Sequence, residues 1–406
     1  MDFKIYQLPN GLRLIHKQED TPVCYCGMVV NAGSRDELTH EHGLAHLVEH
    51  LMFKGTLKRR SRHIINCLEN VGGELNAFTS KEETVVYAIV LNEHLEKAVD
   101  LIGDILFNSV MPDKEIEKEK IVILDEIQSY NDSPSELIYD DFEELLFHEH
   151  PLGHNILGDE ALLNSFSQNE LKRFTQRLYS PENMVFYVVG KADEKKLLRW
   201  AEKYFVSHNA IVSKSAREAP ASYTPTRKKI QKNTFQVHQM MGNLAYNLNN
   251  PDRLSMYLLN NILGGPGMNS LLNLTLREKH GLVYTVDSVY QPFTDTGAWM
   301  IYYGCDEKNL PKCERLVKNV LNRLGNEKIA EKQVNKYKLQ LLGQMAIASE
   351  NRESLGVSMG KSLLRYGKVD SLQSVRGMIM EISAEKLREV AAEVFNEQQI
   401  SSLTYI

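Results

Sequence analysis

The chain has 406 residues, 43% of them hydrophobic and 25% charged, with a net charge of −6. That length suits two domains of about 200 residues, each able to bury its own core. The mild charge and the absence of a polybasic face exclude a nucleic-acid binder, and five scattered cysteines exclude a disulfide framework.

The opening segment, MDFKIYQLPNGLRL, runs straight into strand, turn and strand. It has no basic stretch followed by an apolar one, and no apolar run in the chain is long enough to span a bilayer. A cytoplasmic protein with no membrane partner is the expectation. Strands rich in Val, Ile and Tyr are predicted at 12–16, 23–31, 84–91 and 185–190. Cys24 and Cys26 share one face of the second of these and read as small buried hydrophobes. Helical patterns fall at about 43–54, 61–71, 93–109, 113–130, 134–147, 168–178 and 193–204. Strands and helices interleave, which predicts an α+β fold of mostly antiparallel sheets with helices packed on them. Residues 206–228 are rich in Ser, Ala, Pro and basic side chains without a sustained period. They read as a linker between an N-terminal domain, 1–205, and a C-terminal domain, 229–406.

After the linker the pattern returns. HGLAHLVEHLMFKGT, CLENVGGELNAF and ETVVYAIV can be laid against RLSMYLLNNILGGPG, LREKHGLVYTVD and GAWMIYYG. EIEKEKIVILDEIQ similarly matches QVNKYKLQLLGQMA. Two homologous domains are therefore expected. In this alignment His46 faces Tyr257, Glu49 faces Asn260, His50 faces Asn261, Glu119 faces Tyr337 and Glu126 faces Gln344. The scaffold pattern persists in the second half while these polar residues are lost, so packing does not require them.

In HLVEH, His46 and His50 stand at i and i+4 on one helix face and can both reach a single metal ion. Glu49 sits beside them, placed to accept a proton from water activated by zinc. A catalytic zinc needs a third protein ligand. The helix PDKEIEKEKIVILDEIQSY, opened by Pro112 and Asp113, offers Glu119 and Glu126, seven apart on one face. Ile116, Ile123 and Ile127 would anchor it to the core. Glu115 and Glu117 read as a solvated face with i,i+4 pairs to lysines, whereas Glu126 lies inside the apolar run IVILDEI, where an unpaired carboxylate is costly.

With these residues in place the chain resembles the pitrilysin or insulinase-like zinc metallopeptidases. HLVEH is followed 76 positions later by Glu126, with Glu119 seven residues before it. ENVGGELNAFTSKEETVVY and LNNILGGPGMNSLLNLTLREKHGLVY are also close to the family pattern. Length and two-half layout are similar to the short-chain branch that includes mitochondrial processing peptidase and its bacterial relatives. The resemblance implies a zinc-dependent endopeptidase with one zinc ion per chain, held by His46, His50 and Glu126. It implies Glu49 as general base and Glu119 as a carboxylate that orients a ligand. Asn76, Ala77 and Phe78 would lie on an edge strand that takes a substrate peptide by strand addition. Arg277 and Tyr284 match a pair that meets substrate carbonyls in active members. On the residues themselves Arg277 ends a helix capped by Gly281, and Tyr284 starts the next strand. The loop LGGPGMNS, 263–270, resembles the family's Gly-rich loop and is not a phosphate loop, since it lacks the P-loop lysine pattern.

Long family members place four such domains in one chain as a clamshell around a chamber, so a two-domain chain is expected to be half of a clamshell and to form a homodimer acting on peptides. Two other readings stay open: a catalytically silent scaffold or partner subunit, and the catalytic subunit of a heterodimer.

Overall fold

The computed structural model describes residues 3–206 and 217–406. The first half runs β1 (Phe3–Gln7), β2 (Arg13–Lys17), β3 (Val23–Val30), α1 (Leu44–Met52), α2 (Ser61–Glu69), β4 (Glu74–Thr79), β5 (Thr84–Leu91), α3 (Leu95–Phe107), α4 (Asp113–Asn131), α5 (Pro134–Leu146), α6 (Glu160–Ser165), α7 (Gln168–Leu178), β6 (Met184–Val189) and α8 (Glu194–Phe205). The second half runs β7 (Arg227–Ile230), β8 (Val237–Ala245), α9 (Arg253–Gly264), a π-helical turn (Asn273–Glu278), β9 (Val283–Pro292), β10 (Gly297–Cys305), α10 (Leu310–Asn326), α11 (Glu331–Ala348), α12 (Arg352–Tyr366), α13 (Leu372–Glu381), α14 (Ala384–Val394) and β11 (Ser401–Tyr405).

Apart from the additional edge strand β1, the two sheets have one topology. The first is ordered β1-β2-β6-β3-β5-β4 and the second β7-β11-β8-β10-β9. In each, a single parallel pair (β2 with β6, β7 with β11) is followed by antiparallel neighbours. The fold is thus α+β with mostly antiparallel sheets, as predicted. Helix burial fixes the register of the repeat. Leu44, Ala45, Leu47, Val48, Leu51 and Met52 are buried along α1, and Ser255, Met256, Leu258, Leu259, Ile262 and Leu263 are buried at the matching positions of α9. The long helices α4 and α11 repeat even a buried lysine: Lys120 Nζ donates to the Asn164 carbonyl at 3.1 Å and Lys338 Nζ to the Met380 carbonyl at 2.9 Å.

The chain forms two compact units that do not coincide with the two halves of the sequence. Residues 128–153, with α5, belong to the second unit, and residues 347–370, with α12, belong to the first. In the first unit α12 covers the sheet face made by Ile15, Val29, Val85, Val185 and Tyr187, through Met359 and Leu363. Gly356 permits this approach, because a Cβ there would lie 2.5 Å from the Tyr187 ring. In the second unit Ile138 and Phe142 of α5 cover Met240, Met300 and Leu403. Periodicity shows that each helix has an apolar face; it does not say which sheet takes it. Both faces of each sheet are therefore covered, which is why β6 is buried along its whole length.

Of the predicted linker, residues 207–216 lie outside the described residues. Residues 217–226 carry no helix or strand, but Arg227 and Lys228 already belong to β7, whose run of basic residues suits an edge strand. Cys24 and Cys26 are buried, and burial pushes the Cys24 thiol up to about 12. Among the described residues no helix is long and apolar enough to cross a membrane.

Candidate metal centre

The HLVEH helix is set by the loop before it. Gly43 stands at its N-cap with φ +95°, and a Cβ there would meet the Leu157 carbonyl oxygen at 2.8 Å. Only glycine combines that conformation with that clearance. The α1 N-terminus is capped by the buried Glu37, whose carboxylate accepts from Gly43 N–H at 3.1 Å and Ala45 N–H at 2.7 Å. Such a cap satisfies helix donors that have no partner within the helix. Arg177 pairs with Glu41 and donates to the Asp36 carbonyl, tying the same loop to α7.

The structure brings His46, His50 and Glu126 together. Their ligating atoms all lie within 4.8 Å of one another, and no other such group of three occurs among the described residues. Glu126 Oε2 is 3.8 Å from His46 Nε2 and 3.9 Å from His50 Nε2. Both carboxylate–imidazole separations lie under the about 4.4 Å that two zinc bonds of about 2.0–2.2 Å can span, and with all three donor atoms within 4.8 Å of one another the side chains need shift only a few tenths of an ångström to close on one ion. Glu119 sits two turns before Glu126 on α4. Its Oε2 accepts from His50 Nδ1 at 3.1 Å, which directs the opposite nitrogen toward the other donors. Burial, helped by His50, pushes the His46 imidazole down to about 4, so it stands neutral and ready to ligate at physiological pH.

That depression has a consequence for the metal-free protein. Between about pH 4 and 6.5 the unfolded chain takes up a proton at His46 that the folded chain does not, so stability falls as pH falls through this window. The full effect is on the order of 3 kcal/mol. Chemical denaturation of metal-free protein across this range should show a steeper pH dependence than in His46→Asn. Equal slopes would mean that His46 titrates normally.

Glu49 is not part of the donor set. Its Oε2 accepts from Thr79 Oγ1 at 2.5 Å. Burial raises the Glu49 carboxyl above its ordinary value, against the lowering effect of that hydroxyl and of His50. Thr79 is the last residue of β4, and β4 pairs only with β5. Asn76, Ala77 and Phe78 therefore lie on a strand whose outer edge is open among the described residues. Phe78 packs edge-on against Tyr87, with Lys361 over its ring at 5.1 Å. The turn beyond β4 is pinned by Glu83, which pairs with Arg365 and Lys361, and by the fully buried Arg35–Glu82 pair.

In the second unit Arg277 lies in the π-helical turn, an element often found at functional positions. Gly281 closes it, its N–H bonding the Arg277 carbonyl at 2.8 Å. Tyr284 follows at the start of the edge strand β9 and is 81% exposed, with the Arg277 guanidinium 5.4 Å from its ring centroid. The loop 263–270 follows α9, and Asn269 is joined to Gln340 of α11 by two hydrogen bonds.

Two expectations for α4 fail. Glu115 and Glu117 pair with Lys118 and Lys120, at i,i+3 rather than i,i+4. The run IVILDEI is not an apolar surrounding for Glu126. Ile123 is buried, but Ile121 is 62% and Val122 48% exposed, and the Glu126 side chain keeps 35% of its surface. A one-dimensional run hides that its residues point in different directions around the helix. Thr79, Glu37 and Lys54, whose Nζ lies 2.7 Å from Glu119 Oε1, were not found from sequence. Thr79 directly follows Asn76, Ala77 and Phe78 on the expected edge strand, and Lys54 stands four residues after His50, which is the signal that could have found it.

The chain is similar to known proteins along nearly its whole length. The family model described as "Insulinase (Peptidase family M16)" matches residues 13–160, and one described as "Peptidase M16 inactive domain" matches residues 165–341. A Bacillus subtilis protein described as an uncharacterized zinc protease is 32% identical over 403 residues, covering 98% of this chain and 97% of its own length. One from Mycobacterium tuberculosis with the same description is 32% identical over 400 residues, covering 96% of this chain and 90% of its own length. Among solved structures, a peptidase M16 inactive domain from Pseudomonas fluorescens aligns with a TM-score of 0.92 at 20% identity, covering 100% of this chain and 98% of its own. A protease from Helicobacter pylori aligns at 0.91 and 21%, covering 99% of each chain. These last two likenesses concern the fold. Topology, donor set and sequence agree, and the chain belongs to the insulinase-like M16 peptidase family.

Proposed function

We propose that this protein is a zinc-dependent endopeptidase that hydrolyses peptides or unfolded polypeptide segments. The observation that carries the reading is the His46–His50–Glu126 donor set with a separate, partly desolvated carboxylate, Glu49, beside it. Bound there, zinc would supply Lewis acidity toward the scissile carbonyl and toward water. The remaining work falls to the chain. Glu49 takes the proton of the attacking water on its carboxylate and returns it to the leaving amine. The open edge of β4 binds the substrate main chain as an added strand, with Asn76, Ala77 and Phe78 along the contact. Arg277 and Tyr284 contact substrate carbonyls. The active assembly is a homodimer enclosing a chamber, in which this pair of one copy serves the metal site of the other.

Hydrolysis of a mixed set of fluorogenic peptides, with zinc content and size-exclusion behaviour measured on the same sample, tests the reading. Cleavage by a zinc-loaded dimer supports it. A zinc-loaded, homogeneous dimer that cleaves nothing speaks for the silent-partner reading, and a chain that takes up no metal removes both.

Thr79 provides a finer check. Replacement by the isosteric Val removes the hydroxyl that holds Glu49 and leaves the β4 main chain alone. A hydrogen bond to a charged group is worth about 1.5–3 kcal/mol, so kcat should fall about tenfold or more with KM little changed. Thr79→Ser should stay close to the parent. A change in KM alone would place Thr79 in substrate binding instead.

A further inference from the structure

We infer that Lys54 is a positioning residue for the metal ligand His50, acting through Glu119. This rests on the zinc reading above.

Lys54 lies just past α1, four residues after His50. Its N–H bonds back to the Leu51 carbonyl at 3.1 Å, and the next residues are held in place: Val110 N–H bonds the Gly55 carbonyl at 3.1 Å, and Thr56 N–H bonds the Arg59 carbonyl at 2.8 Å. From this fixed backbone the ammonium reaches Glu119 Oε1 at 2.7 Å, while Glu119 Oε2 accepts from His50 Nδ1 at 3.1 Å. Each oxygen of one carboxylate thus has its own donor, which fixes the rotation of the carboxylate plane. The plane in turn fixes the imidazole, whose other nitrogen stands 3.9 Å from Glu126 Oε2. The Glu119 side chain is almost wholly buried and that of Lys54 about two-thirds buried, so the pair is only partly screened by solvent.

Two comparisons within the chain separate this pair from ordinary surface charge. Glu115 and Glu117 of the same helix bond to lysines one turn away on α4, whereas Glu119 bonds across to the end of α1. In the register of α1 against α9, His50 and Lys54 correspond to Asn261 and Gly265, and in that of α4 against α11 Glu119 corresponds to Tyr337. All three members are absent together from the half that lacks the donor set, while the buried Lys120 of α4 is kept there as Lys338. A lysine needed only to join the two helices would be expected to persist as Lys120 does.

Partners that orient metal ligands change metal affinity by about 10–100-fold when removed. Lys54 acts one bond further out, so Lys54→Met should weaken zinc about five- to tenfold in competition with a chelator of known affinity. Lys54→Arg should stay within about threefold, since it restores a donor to Oε1. Glu119→Gln should weaken zinc more, and Lys54→Met added to it should cost nothing further, because its target is gone. Melting of the metal-free proteins is read alongside. Should Lys54→Met not fold, Lys54→Gln takes its place in the cycle. Zinc affinity of Lys54→Met equal to the parent, or losses that multiply in the double variant, would overturn the inference while leaving the peptidase reading intact. A parent chain that binds no zinc would overturn both.

Discussion

Glu49→Gln is expected to purify with the same zinc content as the parent protein and to hydrolyse peptides about 10²–10⁴-fold more slowly, the usual range for a general base. The two properties separate because Glu49 stands outside the donor set. The candidate donor atoms of His46, His50 and Glu126 lie within 4.8 Å of one another, while the Glu49 carboxylate is held by Thr79 at the end of β4. An amide at position 49 has nearly the same shape and can still bond to Thr79, but it cannot take a proton near neutral pH. Burial raises the parent carboxyl, which brings its proton affinity closer to that of a useful base, and this gain also disappears with Gln. The loss should fall in kcat, since β4 and its open edge are untouched. A Glu49→Gln protein that loses zinc would instead make Glu49 a ligand, and one that keeps activity would remove it from the chemistry.

The α+β class and the donor set are legible in the sequence for different reasons. Strands such as 84–91 and helices such as 113–130 carry strong periods, and the candidate metal residues stand at spacings dictated by a helix. The helix exchange of α5 and α12 leaves no such mark. Phe142 and Met359 look like ordinary core residues from either sheet's point of view, and only long-range packing assigns them. The same limit applies to Glu126, where a run of apolar letters concealed the exposed Ile121 and Val122. Supporting residues are harder again. Glu37, Lys54 and Thr79 act through hydrogen bonds that join them to other parts of the chain, and each is a common residue type in its local setting. Internal comparison recovers part of this information, since a residue shared by both halves reads as scaffold and one found in a single half reads as function.

His50→Ala carries that comparison to its sharpest test. It removes one of the three proposed protein ligands, and structural zinc sites bind with about 10–16 kcal/mol, so one ligand accounts for about 3–4 kcal/mol and its loss should weaken zinc about 10²–10³-fold. Dialysed protein should then hold no zinc and show background hydrolysis. The metal-free variant should nevertheless fold and melt close to the metal-free parent. The reason lies in α9, which buries the same pattern of side chains as α1 and joins a sheet of the same order with Asn261 in place of His50. Truncation at position 50 also frees Glu119, but Lys54 remains as its partner at 2.7 Å, so no isolated buried charge results. The melting temperatures of the zinc-loaded proteins should differ, because only the parent gains stability from the bound ion. A metal-free His50→Ala protein that fails to fold would show that α1 depends on its histidines in a way α9 does not, and the repeat would lose its value as a control. One that keeps zinc and activity would move the metal centre away from HLVEH altogether.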